Sequence, residues 1–95
     1  MKYGLIGLGN LGTNIAKNLI SSGFKLVVHD KNRNNFKSIE SLKAIWCDTP
    51  SELAARVDCV ITCLPSPKIS NEVMLGVNGA LTSMTPGTTW IETST

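Results

Sequence analysis

Apolar and polar positions alternate along this chain in two rhythms that take turns. Short, nearly continuous apolar runs predict strands at Lys2–Leu8, Lys25–His29, Ala44–Trp46, Cys59–Cys63 and Thr89–Glu92. Between them, apolar residues recur at three- and four-residue spacing. That rhythm predicts helices at Leu11–Ser22, Asn34–Leu42, Pro50–Arg56, Pro67–Leu75 and a short one at Gly79–Met84. Local punctuation agrees with most of these. Ser22-Gly23-Phe24 reads as a glycine stop with an apolar residue behind it. Thr49-Pro50-Ser51-Glu52 combines a T-x-x-E capping box with proline at the first helical position. Pro65 ends the fourth strand, and Thr85-Pro86-Gly87 turns the chain into the fifth. The second helix has the least support, because Asn32, Asn34 and Asn35 favour turns while Phe36, Ile39 and Leu42 keep a helical stripe.

Strand and helix in alternation predict an α/β fold with a parallel sheet covered on both faces. Right-handed crossovers in a doubly wound sheet give a spatial strand order of 3-2-1-4-5. The winding reverses between strands one and four, and ligands of such sheets bind there, outside the carboxyl ends of the strands. Three segments leave strands at that side. They are the turn Gly9–Gly12, Leu64-Pro65-Ser66, and the hydroxyl-rich Thr93-Ser94-Thr95, which reads either as a polar tail or as part of a site.

The first of these segments has the most specific chemistry. Gly7-Leu8-Gly9-Asn10-Leu11-Gly12 is a G-x-G-x-x-G placed between a strand and a helix, the context that gives the motif its meaning. Gly7 turns the chain off the strand, Gly9 keeps bulk away from phosphates, and Gly12 lets the helix approach the sheet. Free backbone N–H groups and the positive end of the helix dipole then converge on one spot, which suits a pyrophosphate. Asp30 ends the second strand eighteen residues beyond Gly12. A carboxylate about 20 residues on is expected to hold the adenosine ribose hydroxyls. Its charge repels a 2′-phosphate and favours NAD, whereas Lys31 and Arg33 offset it and leave NADP as the alternative.

Ninety-five residues make a single domain, 1–95, and 42% hydrophobic residues are enough for a core. A net charge of +2 does not point to nucleic acid, and no apolar run is long enough to span a bilayer. Lys31, Arg33, Lys37 and Lys43 read as a solvated helix face. The start of the chain lacks the pattern of a signal peptide, and three cysteines without framework spacing suit a reducing, cytoplasmic setting. Cys59 and Cys63 share a strand face too far apart to bridge, and they read with Cys47 as small buried hydrophobes. His29 has no converging partners, so no metal site is expected.

Three segments together resemble the N-terminal domain of the β-hydroxyacid dehydrogenases, the family that contains 3-hydroxyisobutyrate dehydrogenase. Gly7 to Leu19 is similar to that family's G-L-G-x-M-G-x-x-M-A-x-N-L, Val60 to Pro65 to its V-I-T-M-L-P, and Trp90 to Thr95 to its I-D-x-S-T. The resemblance covers essentially the whole chain. It implies a Rossmann-type doubly wound sheet, incomplete at its C-terminal end, and a nicotinamide dinucleotide as cofactor. It also implies that Gly7, Leu8, Gly9, Asn10, Leu11 and Gly12 meet the pyrophosphate. Asp30, Lys31 and Arg33 would lie at the adenosine, and Leu64 and Pro65 along the cofactor. Ser94 would bind substrate, and Thr95 would sit beside nicotinamide and substrate. Leu11 stands where the family has methionine, and Glu92 where it has aspartate.

The family's catalytic lysine belongs to a later helical domain, and no lysine of this chain matches its motif. The resemblance therefore implies no catalytic residue in the chain. The piece is expected to be inactive alone, and to form a homo-oligomer when full length. The implied activity is hydride transfer between a nicotinamide cofactor and a small β-hydroxy acid or semialdehyde. A stand-alone nucleotide-binding module without turnover, and a fragment whose exposed edge, with Trp90 and Ile91, serves association, are the other readings.

Overall fold

The computed structural model describes residues 1–93. Five strands, β1 (Lys2–Ile6), β2 (Lys25–His29), β3 (Ile45–Trp46), β4 (Cys59–Thr62) and β5 (Thr89–Glu92), form one sheet in the order β3-β2-β1-β4-β5. Every pairing is parallel. Three α-helices connect them: α1 (Asn10–Ser21), α2 (Pro50–Ala54) and α3 (Pro67–Leu75). The expected strand order and layering are those observed.

Two separate cores follow from covering a parallel sheet on both faces. On one face Leu5, Leu26, Val28, Cys59 and Ile61 meet Leu8, Ala16, Phe36 and Ile39. On the other Ile6, Val27 and Val60 meet Leu53, Ala54, Val57, Met74 and Ala80. β4 is buried along its whole length, as a central parallel strand with helices on both faces requires; its one polar residue, Thr62, is hydrogen-bonded. No helix among the described residues is long and apolar enough to cross a membrane.

Helix ends follow the local chemistry. After α1 the Phe24 N–H donates to the Leu19 carbonyl (3.1 Å) and the Gly23 N–H to that of Ile20 (3.0 Å), a Schellman closure. Phe24 then packs edge-on against Tyr3, with ring centroids 5.1 Å apart. At α2 the Thr49 hydroxyl accepts the Glu52 N–H at 3.1 Å. The Glu52 carboxylate reaches back one residue further than expected, to the N–H of Asp48 at 3.4 Å.

The segment Asn34–Leu42 corrects the expected helix. It forms two short 3-10 turns, Arg33–Ser38 and Glu40–Leu42. The asparagines win locally: the Asn32 side chain accepts the Asn34 N–H at 3.0 Å, and Asp30 holds both the Asn32 N–H and the Asn35 amide. Ile39, at φ −123°, breaks the run, yet it and Phe36 still bury as the stripe predicts. The Gly79–Met84 helix is likewise a 3-10 turn, Ala80–Ser83. β1 ends at Ile6, two residues early, because Gly7 adopts φ +106°.

Candidate functional site

Strand register builds one rim of this molecule. Ile6 lies opposite His29 and Thr62, and Thr62 lies opposite Glu92. The next residues, Gly7, Asp30, Cys63 and Thr93, therefore stand in a row just past the carboxyl ends of four strands. All four line a crevice of about 570 Å³, a volume in the range of small-molecule and cofactor sites. Its floor is the turn Gly9–Gly12; Asp30, Lys31 and Asn35 close one side, and Leu64, Pro65 and α3 the other.

Leu8 holds the turn in place. Its side chain is buried, its N–H donates to the Asp30 carboxylate at 2.7 Å, and its carbonyl accepts the Thr13 hydroxyl at 3.1 Å. One residue earlier, the Gly7 N–H donates to the His29 carbonyl at 3.0 Å. A side chain at Gly7 would put its Cβ 2.1 Å from the Cys63 carbonyl oxygen, and one at Gly12 would put it 1.9 Å from that of Gly7. Both positions admit only hydrogen, so α1 starts hard against the sheet. Gly9 differs: a Cβ there would meet nothing within 4 Å.

The open space above Gly9 is bounded by the first turn of α1. The first bond of that helix runs from the Thr13 N–H to the Gly9 carbonyl (2.8 Å), and no side chain caps the helix. The amides of Asn10, Leu11 and Gly12 precede that bond. Uncapped donors at the positive end of a twelve-residue helix, with no bulk above Gly9, fit an anion of pyrophosphate size.

Asp30 accepts at both oxygens. One takes the Leu8 N–H, and the other takes the Asn32 N–H at 2.8 Å and the Asn35 amide at 3.2 Å. The oxygen that takes the Leu8 N–H has one further lone-pair direction, so acceptor capacity for one ligand hydroxyl remains there. Beside it His29 donates from Nδ1 to the Cys47 carbonyl at 2.9 Å; a carbonyl only accepts, so Nδ1 carries the hydrogen. Arg33 does not reach the crevice. Its guanidinium lies over the Trp46 ring, 5.4 Å from the centroid.

At the opposite end, Thr62 is fully buried and joins β4 to β5. The Trp90 indole N–H donates to its hydroxyl (2.9 Å), which donates in turn to Glu92 (3.0 Å). The Thr62 carbonyl accepts both the N–H and the hydroxyl of Thr93, at 2.9 and 2.7 Å. Glu92, the residue that departs from the family's aspartate, thus takes part in the hydrogen bonding that anchors β5.

Of the residues singled out in the sequence, Gly7, Gly9, Asn10, Leu11, Gly12, Asp30, Lys31, Leu64 and Pro65 line the crevice together. Leu8 lies beneath the turn and contributes its backbone, and Arg33 is held elsewhere. Ser94 and Thr95 lie outside the described residues. Sequence reasoning missed the α3 wall of Ile69, Glu72 and Val73; their i, i+3, i+4 spacing was the available signal. Among the described residues no cluster of three metal-ligating side chains forms. Cys47 and Cys59 are buried and Cys63 half-buried, all free thiols. Burial pushes the Cys47 and Cys59 thiols above their ordinary range.

Comparison with known proteins gives the same picture. Residues 2–95 match the family described as the NAD binding domain of 6-phosphogluconate dehydrogenase. A probable mitochondrial 3-hydroxyisobutyrate dehydrogenase of Dictyostelium discoideum is 36% identical over 92 residues, and its Rattus norvegicus counterpart is 38% identical. Each match covers 97% of this chain, but the chain spans only 29% and 28% of those relatives. A cytokine-like nuclear factor, N-PAC, of Anopheles gambiae is 29% identical over 97% of the chain, which spans 16% of that protein. Among solved structures, Mycobacterium tuberculosis 3-hydroxyisobutyrate dehydrogenase with L-serine superposes with a TM-score of 0.90 at 26% identity. That match covers 99% of this chain and 31% of the other. An imine reductase from Myxococcus stipitatus in complex with NADP+ shares the fold, with a TM-score of 0.89 at 17% identity, over 97% of this chain and 31% of its own.

Proposed function

Because the chain belongs to the family described as the NAD binding domain of 6-phosphogluconate dehydrogenase, we propose that its crevice holds a nicotinamide dinucleotide by the pyrophosphate. The protein it serves would be an oxidoreductase acting on a small β-hydroxy acid or semialdehyde. One observation supports the binding: α1 begins without a side-chain cap directly after Gly9, where a Cβ would meet nothing within 4 Å. Asp30 takes the adenosine ribose, and Leu64 and Pro65 flank the ligand. Ser94 and Thr95, which follow Thr93 directly in the sequence, serve the substrate side. When bound, the nicotinamide ring supplies the hydride chemistry. This chain's part is to bind and orient it, and no catalytic acid or base is assigned to these residues.

The 3-hydroxyisobutyrate dehydrogenases among the relatives support the dehydrogenase reading. We favour NAD over NADP. Asp30 brings a carboxylate to the place where a 2′-phosphate would sit, and Arg33 lies over Trp46 rather than in the crevice. Fluorescence titration with NADH and NADPH tests this: tighter NADH binding is expected, and tighter NADPH binding would reverse the assignment. A binding module without turnover is the second reading. The likeness to a protein named as a nuclear factor favours it, and hydride transfer measured on the full-length protein separates the two.

A further inference from the structure

The amino ends of the strands, at the far side of the sheet from the crevice, gather positive charge. Lys2 and Lys25 lie opposite each other in the β1–β2 register. Neighbouring strands run about 4.8 Å apart, so the two side chains leave one sheet face close together. Lys43 stands two residues before Ile45, as Lys25 stands two before Val27, the partner of Ile45. Arg56, just past α2, completes the group. All four line one cavity of about 340 Å³, whose apolar floor is Val27 and Ile45.

No carboxylate is among the described residues that line it. Cations set side by side repel, and Lys43 has φ +70°, where glycine is the residue at ease. Among the described residues, the ion pair at this rim joins Arg56 to Glu52 at 3.1 Å through one guanidinium nitrogen, and the other N–H groups of the fork remain for a ligand. Asp58 accepts the backbone N–H of Lys2 at 2.9 Å and borders the neighbouring depression. Ile45 stays 53% exposed amid the cations.

We propose that this cavity binds a small phosphate monoester, with its phosphate among Lys2, Lys25, Lys43 and Arg56 and its apolar body on Ile45. Such a phosphate carries between about −1.5 and −2 charges near pH 7, a closer match to several cations than one carboxylate. The enclosed shape and a net charge of only +2 favour a small ligand over a nucleic acid strand. The site is distinct from the dinucleotide crevice, since β1 carries the chain about 13 Å from Lys2 to Ile6 before the crevice begins.

Calorimetric titration of the protein with phenyl phosphate tests it. Binding is expected, with inorganic phosphate weaker for want of the apolar contact. Lys25→Gln combined with Lys43→Gln should weaken phenyl phosphate about tenfold and leave NADH binding unchanged. Gly9→Val should leave phenyl phosphate binding intact, because the crevice lies elsewhere. No binding, an affinity unmoved by the double substitution, a loss in Gly9→Val, or inorganic phosphate binding as tightly as phenyl phosphate would overturn the proposal. A DNA duplex whose binding the double substitution abolishes, with phenyl phosphate not bound, would overturn it in favour of a nucleic acid surface.

Discussion

The Asp30 carboxylate accepts the Leu8 amide at 2.7 Å, and this bond ties the end of β2 to the turn that follows β1. The residue expected to read the ribose therefore also shapes the bed for the phosphates. Asp30→Ala removes the acceptor and strands a half-buried N–H. It should cost about 1–3 kcal/mol in urea unfolding and weaken dinucleotide binding together with stability. Asp30→Asn keeps one acceptor but turns its amide N–H groups toward the donors on the other side, so it should recover only part of the stability.

Gly9 and Gly12 should respond oppositely to substitution. Gly9 has φ −71° and free space around its missing Cβ, so Gly9→Val should fold with an unchanged melting temperature. The same change fills the phosphate space, and dinucleotide binding should disappear. A Gly9→Val protein that binds with wild-type affinity would remove the basis for the phosphate site.

At Gly12 the damage falls on the fold. A Cβ 1.9 Å from the Gly7 carbonyl oxygen forces α1 off the sheet. Gly12→Ala should lose about 2–4 kcal/mol by chemical denaturation, the upper range for overpacking.

Thr62→Val keeps the shape of a buried side chain and deletes its hydroxyl. The Trp90 indole then loses its acceptor. A loss of about 1–3 kcal/mol is expected, with a change in tryptophan fluorescence that reports the loosened β4–β5 contact.

Stability should fall in alkali. Desolvation raises the folded-state values of Cys47 and Cys59 above the ordinary 9.0. The unfolded chain then holds fewer protons than the folded one as pH passes that point. Their contribution is complete below pH 9.0 and is lost as pH climbs toward the folded-state values. Denaturation midpoints from pH 7 to 11 check this, and Cys47→Ala with Cys59→Ala should flatten the decline. Thiol labelling of the native protein should modify half-buried Cys63 first.

Much of this architecture was legible because local and global signals agree. The run Cys59–Ile61 reads as a strand buried on both faces, and Gly7 to Gly12 as a turn into a helix. The helix expected over Asn34–Leu42 does not form because side-chain amides compete with the helical ladder, a contest decided by Asp30 just past the preceding strand. Arg33 carried the right charge for a phosphate, but Trp46 of the neighbouring strand holds it. The pattern of the sequence predicted a helix at Pro67–Leu75. It did not show that the partly exposed stripe of Ile69, Glu72 and Val73 borders the crevice, because that depends on where β4 delivers the helix.

β5 is an edge strand, yet its alignment is not free to drift. Thr93 places both of its donors on a single carbonyl of Thr62, and Trp90 hooks the same residue through its hydroxyl. Sliding by one position would swing the indole into solvent and drive Ile91 inward. A further strand arriving at this border, from its own polypeptide or another, would meet a template whose own alignment with the sheet is already fixed.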